Sequence, residues 1–272
     1  MSTSLNRSAG NRSAGLAAVL FCFVLPAAAQ DWARVSLEKS PRHQEWVAVK
    51  HGERTVHAFL VYPESKKKTA AVVVIHENQG LTDWARSVAD QLAAAGYIAI
   101  APDLLSGKAP GGGKTSDFAS GDAARQAIGE LDADQVTADL NAVSDYVRKL
   151  PAASGKVAVA GFCWGGRQSF RFATNRADLA AAFVFYGNGP DSVASVRAPV
   201  FGFYAENDAR INATLPATEA AMKAAGKRYE QVTYAGAGHG FMRSGEAPDA
   251  SAENRKARED AWKRWLALLK EM

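Results

Sequence analysis

The chain is poor in cysteine, with 2 in 272 residues. That excludes a disulfide scaffold, which needs several bridges to staple a small core. It also lacks a dominant charge: Lys and Arg number 32 against 28 Asp and Glu, a formal net charge of +4. So small an excess does not suggest a nucleic-acid partner, which calls for a basic stripe or tail. No apolar run reaches the roughly 20 residues that span a bilayer. No two histidines have the H-x₃-H spacing of a zinc site, so no metal is implied. Gly111-Gly112-Gly113 precedes Lys114 without the spacing of a phosphate-binding loop and does not follow a strand, so no nucleotide cofactor is implied. Apolar residues are plentiful: 47% of the chain is hydrophobic and 22% charged, enough to bury a core.

Residues 1–29 read as a signal peptide. The apolar run 16–29 has the length of a signal core, not of a membrane span. Arg7 and Arg12 precede it with no acid between, and Ala27-Ala28-Ala29 supplies a small-residue cut before Gln30. The expected mature chain is therefore exported, periplasmic or secreted. An upstream NRSAG repeat, at 6–10 and 11–15, carries no fold. Cleavage would remove Cys22 and leave Cys163 as the one thiol, exposed to oxidation in such a compartment.

Residues 30–272 alternate strand and helix and read as a single domain. Segments 45–50 and 56–62 flank the Gly52-Glu53-Arg54 turn as a hairpin. The continuous apolar run 71–75 predicts a strand covered on both faces. Further strands are expected at 97–101, 156–160, 180–185, 199–204 and 228–234. Helices are expected at 82–95, 134–150, 164–173, 214–225 and 255–269. The order implies an α/β fold: a mostly parallel central sheet with right-handed crossovers and helices on both faces. Ligands bind such sheets beyond the C-terminal strand ends. The loop 106–121 has no assigned role, and a loop of that length is usually functional or mobile.

Gly161-Phe162-Cys163-Trp164-Gly165 follows a strand and opens a helix. It is the thiol form of the G-x-S-x-G nucleophile elbow, in which a strained turn lifts the nucleophile above the sheet. The helix N-terminus favours a thiolate there, and the Trp164 N–H can face an oxyanion. The ordinary fate of a cysteine is structural burial, but the strand–turn–helix context argues for the nucleophile. A free thiol is only a few per cent ionised at pH 7 and needs a base. His239, in the glycine-rich stretch Gly236–Gly240, is the candidate, with Asp208 after strand 199–204 to orient it. The order Cys163, Asp208, His239 is that of α/β-hydrolase triads. His43 and His51, in or beside the hairpin, read as surface residues, and His76 as a packed residue behind the site. The loop after strand 71–75 should supply the second oxyanion donor, the Asn78 N–H, with Glu77 close to the thiol. Trp84, beside that loop, is a candidate to line an apolar pocket.

Taken together, these motifs resemble the dienelactone hydrolase family. The residues are HENQGL at 76–81, APDLL at 101–105, GFCWGG at 161–166, AEND at 205–208 and GHGFMR at 238–243. The resemblance runs from about His51 to the C-terminus. It implies an α/β-hydrolase fold and a Cys163–His239–Asp208 triad that opens lactones or esters through a thioester. It also implies that Glu77 governs whether the resting cysteine is thiol or thiolate, that Asn78 and Trp164 donate to the oxyanion, and that Arg243 holds a substrate carboxylate. The family's second carboxylate-binding arginine falls on Gly107, with Lys108 beside it, and Lys lacks the planar fork. The implied partner is a small-molecule ester or lactone. A glutamine amidotransferase, which shares the G-x-C-x-G elbow, needs an acid two residues after its histidine, where this chain has Phe241. The remaining alternative is a thiol-reactive or ligand-binding relative that keeps the fold without turnover.

Overall fold

The computed structural model describes Met1 and residues 31–272. The expected leader, its cut before Gln30, and Cys22 lie outside the described residues. A short helix, α1 (Asp31–Glu38), comes first, and the strand–helix pattern did not announce it. Only Ala33 and Leu37 of α1 are buried, against the same apolar layer as the second helix.

The hairpin forms as β1 (Gln44–His51) and β2 (Arg54–Val61), with Gly52 at a φ of 51° in the turn. Next come β3 (Thr69–Ile75), α2 (Asp83–Ala94) and β4 (Ile98–Pro102). Two helices follow, α3 (Gly121–Gly129) and α4 (Ala133–Arg148). The central unit is β5 (Ala153–Phe162) and α5 (Trp164–Asn175), then β6 (Ala182–Phe185) and β7 (Val200–Asn207). The chain ends with α6 (Ala209–Asn212), α7 (Leu215–Ala224), β8 (Tyr229–Gly238), α8 (Phe241–Ser244) and α9 (Ala252–Lys270).

One eight-stranded sheet takes the order β1-β2-β4-β3-β5-β6-β7-β8. β1–β2 and β2–β4 are antiparallel, and β4-β3-β5-β6-β7-β8 is parallel throughout. This is the α/β-hydrolase topology. The interior strands are apolar on both sides because both sides are covered. In β3, Val72 and Val74 join a core with Trp84 of α2 and Trp265 of α9. Ala71, Val73 and Ile75 join the opposite core with Leu140 of α4 and Phe172 of α5. Each such Val, Leu or Ile side chain, fully buried, contributes about 1.5–3 kcal/mol. Among the described residues no helix is long and apolar enough to cross a membrane.

The loop 106–121 is tied down at its base. Asp103 accepts hydrogen bonds from the Thr115 N–H at 2.9 Å and the Thr115 hydroxyl at 2.7 Å. The Thr115 oxygen in turn accepts from the Leu81 N–H at 3.0 Å. Asp103 thus fastens the loop after β4 to the loop after β3, which carries Glu77 and Asn78. Gly80, with φ at 79°, lies so close that a Cβ would stand 2.2 Å from the Thr115 hydroxyl oxygen.

Candidate active site

Cys163 sits between the end of β5 and the first residue of α5, with φ 55° and ψ −116°. Non-glycine residues rarely hold a positive φ, and they do so where surrounding structure enforces it. The enforcement is visible. The Cys163 N–H donates to the Phe185 carbonyl at 3.0 Å, and the Arg167 N–H donates to the Cys163 carbonyl at 3.2 Å. The neighbouring glycines permit the close approach: a Cβ on Gly161 would stand 1.9 Å from the Gly165 carbonyl oxygen. A Cβ on Gly165 would meet the His76 and Ile75 carbonyl oxygens at 2.4 and 2.5 Å.

The thiol is partly buried and free. Burial raises its pKa, and the Glu77 carboxylate raises it further. The Trp164 backbone N–H and the Arg210 guanidinium pull the other way. Asp208 also acts on the thiol, which places the sulfur within the field of the acid that holds the histidine.

Asp208 and His239 come together from 31 positions apart, Nδ1 to Oδ2 at 2.5 Å. Asp208 is buried at the end of β7, where its other oxygen accepts the Ile211 N–H and caps α6. His239 follows β8, and its ring is edge-on to Tyr186 at 5.0 Å. With Nδ1 committed to Asp208, Nε2 is left as the proton acceptor. Among the described residues no hydrogen bond joins the Cys163 sulfur to the imidazole in this resting geometry. Catalytic hydrogen bonds commonly tighten only with substrate in place.

Glu77 and Asn78 follow β3, half-buried. Glu77 receives Arg243 Nε at 2.7 Å on one oxygen and the Tyr186 hydroxyl at 3.4 Å on the other. The Glu77 charge raises the pKa of Arg243 and, after burial, that of Tyr186. Among the described residues neither the Asn78 N–H nor the Trp164 N–H is given to a carbonyl, so both remain available to an oxyanion. His76 is fully buried and stacks on the Trp164 indole at 5.5 Å with an interplanar angle of 11°. Its Nδ1 lies 2.8 Å from the Glu77 carbonyl, and its Nε2 accepts the Leu104 N–H at 3.3 Å. Burial lowers its pKa. A neutral His76 therefore holds the backbone at Glu77 and the Trp164 indole from behind, a packed residue as the sequence suggested.

Two expectations need correction, those on Trp84 and His51. Trp84 does not offer its face to a ligand: it is fully buried, edge-on to Phe162 at 5.0 Å, with Nε1 donating to Glu246 at 3.1 Å. The helical turn after the loop points it into the core. His51 is no free surface residue, because its Nε2 lies 2.8 Å from Asp139, which is buried and also holds Arg54 at 2.7 Å. Lys108 is exposed and forms no ion pair among the described residues. Gly107 beside it, at φ 76°, lines a groove of about 640 Å³ with His51, Arg54 and His57, and that lining includes none of Cys163, Asp208 and His239. Tyr186 and Arg210 were missed. Each follows a C-terminal strand end, Tyr186 directly after β6 and Arg210 two residues past Asp208, and that position was the available signal.

The fold and this set of groups define a hydrolase of the α/β class. The sequence profile of the Dienelactone hydrolase family matches residues 56–272, and the chain belongs to that family. It is 30% identical over 209 residues to a Salmonella typhi protein described as "Putative carboxymethylenebutenolidase", covering 72% of this chain and 74% of that one. A Bradyrhizobium protein described as "Probable 2-oxo-3-(5-oxofuran-2-ylidene)propanoate lactonase" is 27% identical over 212 residues, covering 72% and 83%. The crystal structure of a dienelactone hydrolase homologue from Klebsiella pneumoniae superposes with a TM-score of 0.74 at 24% identity, covering 85% of this chain and 99% of that one. That likeness speaks for the fold. Family membership makes the protein a hydrolase of the ester and lactone class.

Proposed function

We propose that the protein is an exported thiol hydrolase that cleaves a lactone or carboxylic ester through a thioester on Cys163. The observation that carries this reading is the strained turn at Cys163 in the field of an Asp208 already bonded to His239. In the reaction, His239 Nε2 takes the thiol proton and the sulfur attacks the carbonyl carbon. The Asn78 and Trp164 N–H groups receive the negative oxygen. The carbon–oxygen bond to the leaving group breaks, and the imidazolium returns its proton to that oxygen. Water, deprotonated by His239, then attacks the thioester, releasing the acid and the thiol. Arg243 is the anchor for a substrate carboxylate, which would compete with Glu77 for the guanidinium. The freed Glu77 would then stand as a second acceptor for the thiol proton. Export rests on the tripartite pattern of residues 1–29.

The test is turnover on activated esters and on lactones with and without a free carboxylate, with Cys163→Ala measured beside the wild type. Turnover confined to the wild type supports the thiol route; a Cys163→Ala protein that keeps its rate overturns it. N-terminal sequencing of exported protein tests the leader, and an intact residue 1 would refute it.

A further inference from the structure

β8 is the last strand of the sheet, and α9 packs beside it. Between them lies a cavity of about 630 Å³ lined by Val232, Tyr234, Lys256, Ala257, Asp260 and Arg264 among others. None of Cys163, Asp208 and His239 belongs to that lining. Two atoms of the lining are buried without a hydrogen-bond partner among the described residues: the Tyr234 hydroxyl and Arg264 Nη1. Both groups can donate.

The guanidinium of Arg264 is held in place. It lies over the Phe203 ring at 4.7 Å and near the Phe201 ring at 5.8 Å. Burial lowers its pKa, as it raises that of Tyr234. Two of the nearby carboxylates are paired with other cations, while Glu253 of the lining is exposed. Asp260 pairs with Lys256 at 2.6 Å, and Glu230 with Arg228 at 2.8 Å. A half-buried guanidinium that forms no ion pair among the described residues, with one buried N–H unpaired, and a neighbouring buried unpaired phenol each carry an unmet hydrogen bond. One acceptor with two oxygens would relieve both at once. The apolar part of the remaining lining is Val232, Ala235, Ala252 and Ala257, beside the polar Thr233, Glu253, Lys256 and Asp260.

We propose that the groove between β8 and α9 is a binding site for a small monocarboxylate with an apolar tail, its oxygens received by Arg264 and Tyr234. The tail lies along Val232 and Ala257. The site is separate from the catalytic cleft.

Octanoate is the probe, and calorimetric titration the measurement. Cys163 is first alkylated with iodoacetamide, so that the thiol cannot react, and Arg264→Gln reports any octanoate held elsewhere, at Arg243 included. The alkylated protein should bind one equivalent with a Kd of about 1 mM or tighter. Tyr234→Phe should weaken binding about tenfold, the worth of one hydrogen bond to a charged group. Arg264→Gln should abolish it at any practical concentration, and octanamide should bind at least about tenfold more weakly than octanoate. Tyr234→Phe removes a hydroxyl that has no partner, so it should melt no lower than the wild type, and weakened binding in it is not unfolding. The proposal is overturned if the alkylated protein gives no binding heat. It is equally overturned if both variants bind as the wild type does, which would leave the two donors to ordered water, or if octanamide matches octanoate.

Discussion

Arg243 donates to Glu77 at 2.7 Å, closing an ion pair within reach of the Cys163 thiol. Neither charge is spare in the resting protein. Burial first and the Glu77 charge second hold the thiol above its ordinary pKa, so the sulfur rests protonated at neutral pH. Alkylation by iodoacetamide should therefore be slow at pH 7 and rise about tenfold per pH unit until the thiol titrates. Glu77→Gln removes the anion, favours the thiolate and should move that profile to lower pH. An unmoved profile would show that the carboxylate does not govern the thiol.

Asp208 does two things, orienting His239 and capping α6 through the Ile211 N–H. Asn is as good a cap as Asp, so Asp208→Asn should leave the melting temperature close to that of the wild type. Its amide cannot hold the imidazole in the same tautomer or offset its charge. Loss of the orienting acid in such a triad costs on the order of 10⁴ in kcat. Steady-state kinetics on an activated ester checks this, and a loss below about tenfold would remove Asp208 from the catalytic set.

Much of this arrangement was legible in the chain. Interior strands such as 71–75 announce themselves because a strand covered on both faces has no polar alternation to dilute the run. The elbow is legible because Gly161 and Gly165 meet backbone carbonyls and tolerate no side chain. Strand ends were read less well: β8 continues to Gly238, past the expected 234, because polar residues are admitted on an edge. Helix α1 escaped because only Ala33 and Leu37 are buried, too few to set a period. Pairings across the chain left no local trace. Glu77 and Arg243 are 166 positions apart, and Tyr186 joins them from a third strand end.

Gly165 tests the elbow as a steric device. A methyl group there would stand 2.4 Å from the His76 carbonyl oxygen and 2.5 Å from that of Ile75, both backbone atoms of β3 or its exit. These cannot step aside as a side-chain tip can. Gly165→Ala should cost about 1–3 kcal/mol or more in denaturant unfolding and lower kcat by displacing the loop that carries Glu77 and Asn78. A variant as stable and as active as the wild type would mean that strand and helix do not need this contact.

Trp84 separates nearness in sequence from nearness in space. It lies five positions after Gln79, yet α2 turns it into the layer shared with Phe162, and its indole N–H goes to Glu246. Glu246 is itself bonded to Arg258 Nε at 2.7 Å, so the indole is one corner of a network joining α2 to α9. Trp84→Phe should therefore act on stability and not on substrate. It removes a ring's worth of buried contact and one hydrogen bond, a loss of roughly 1–3 kcal/mol. The KM for esters of different acyl size should stay within about twofold of the wild type. If instead KM shifts with acyl size while the melting temperature holds, the indole touches substrate and the core assignment is wrong.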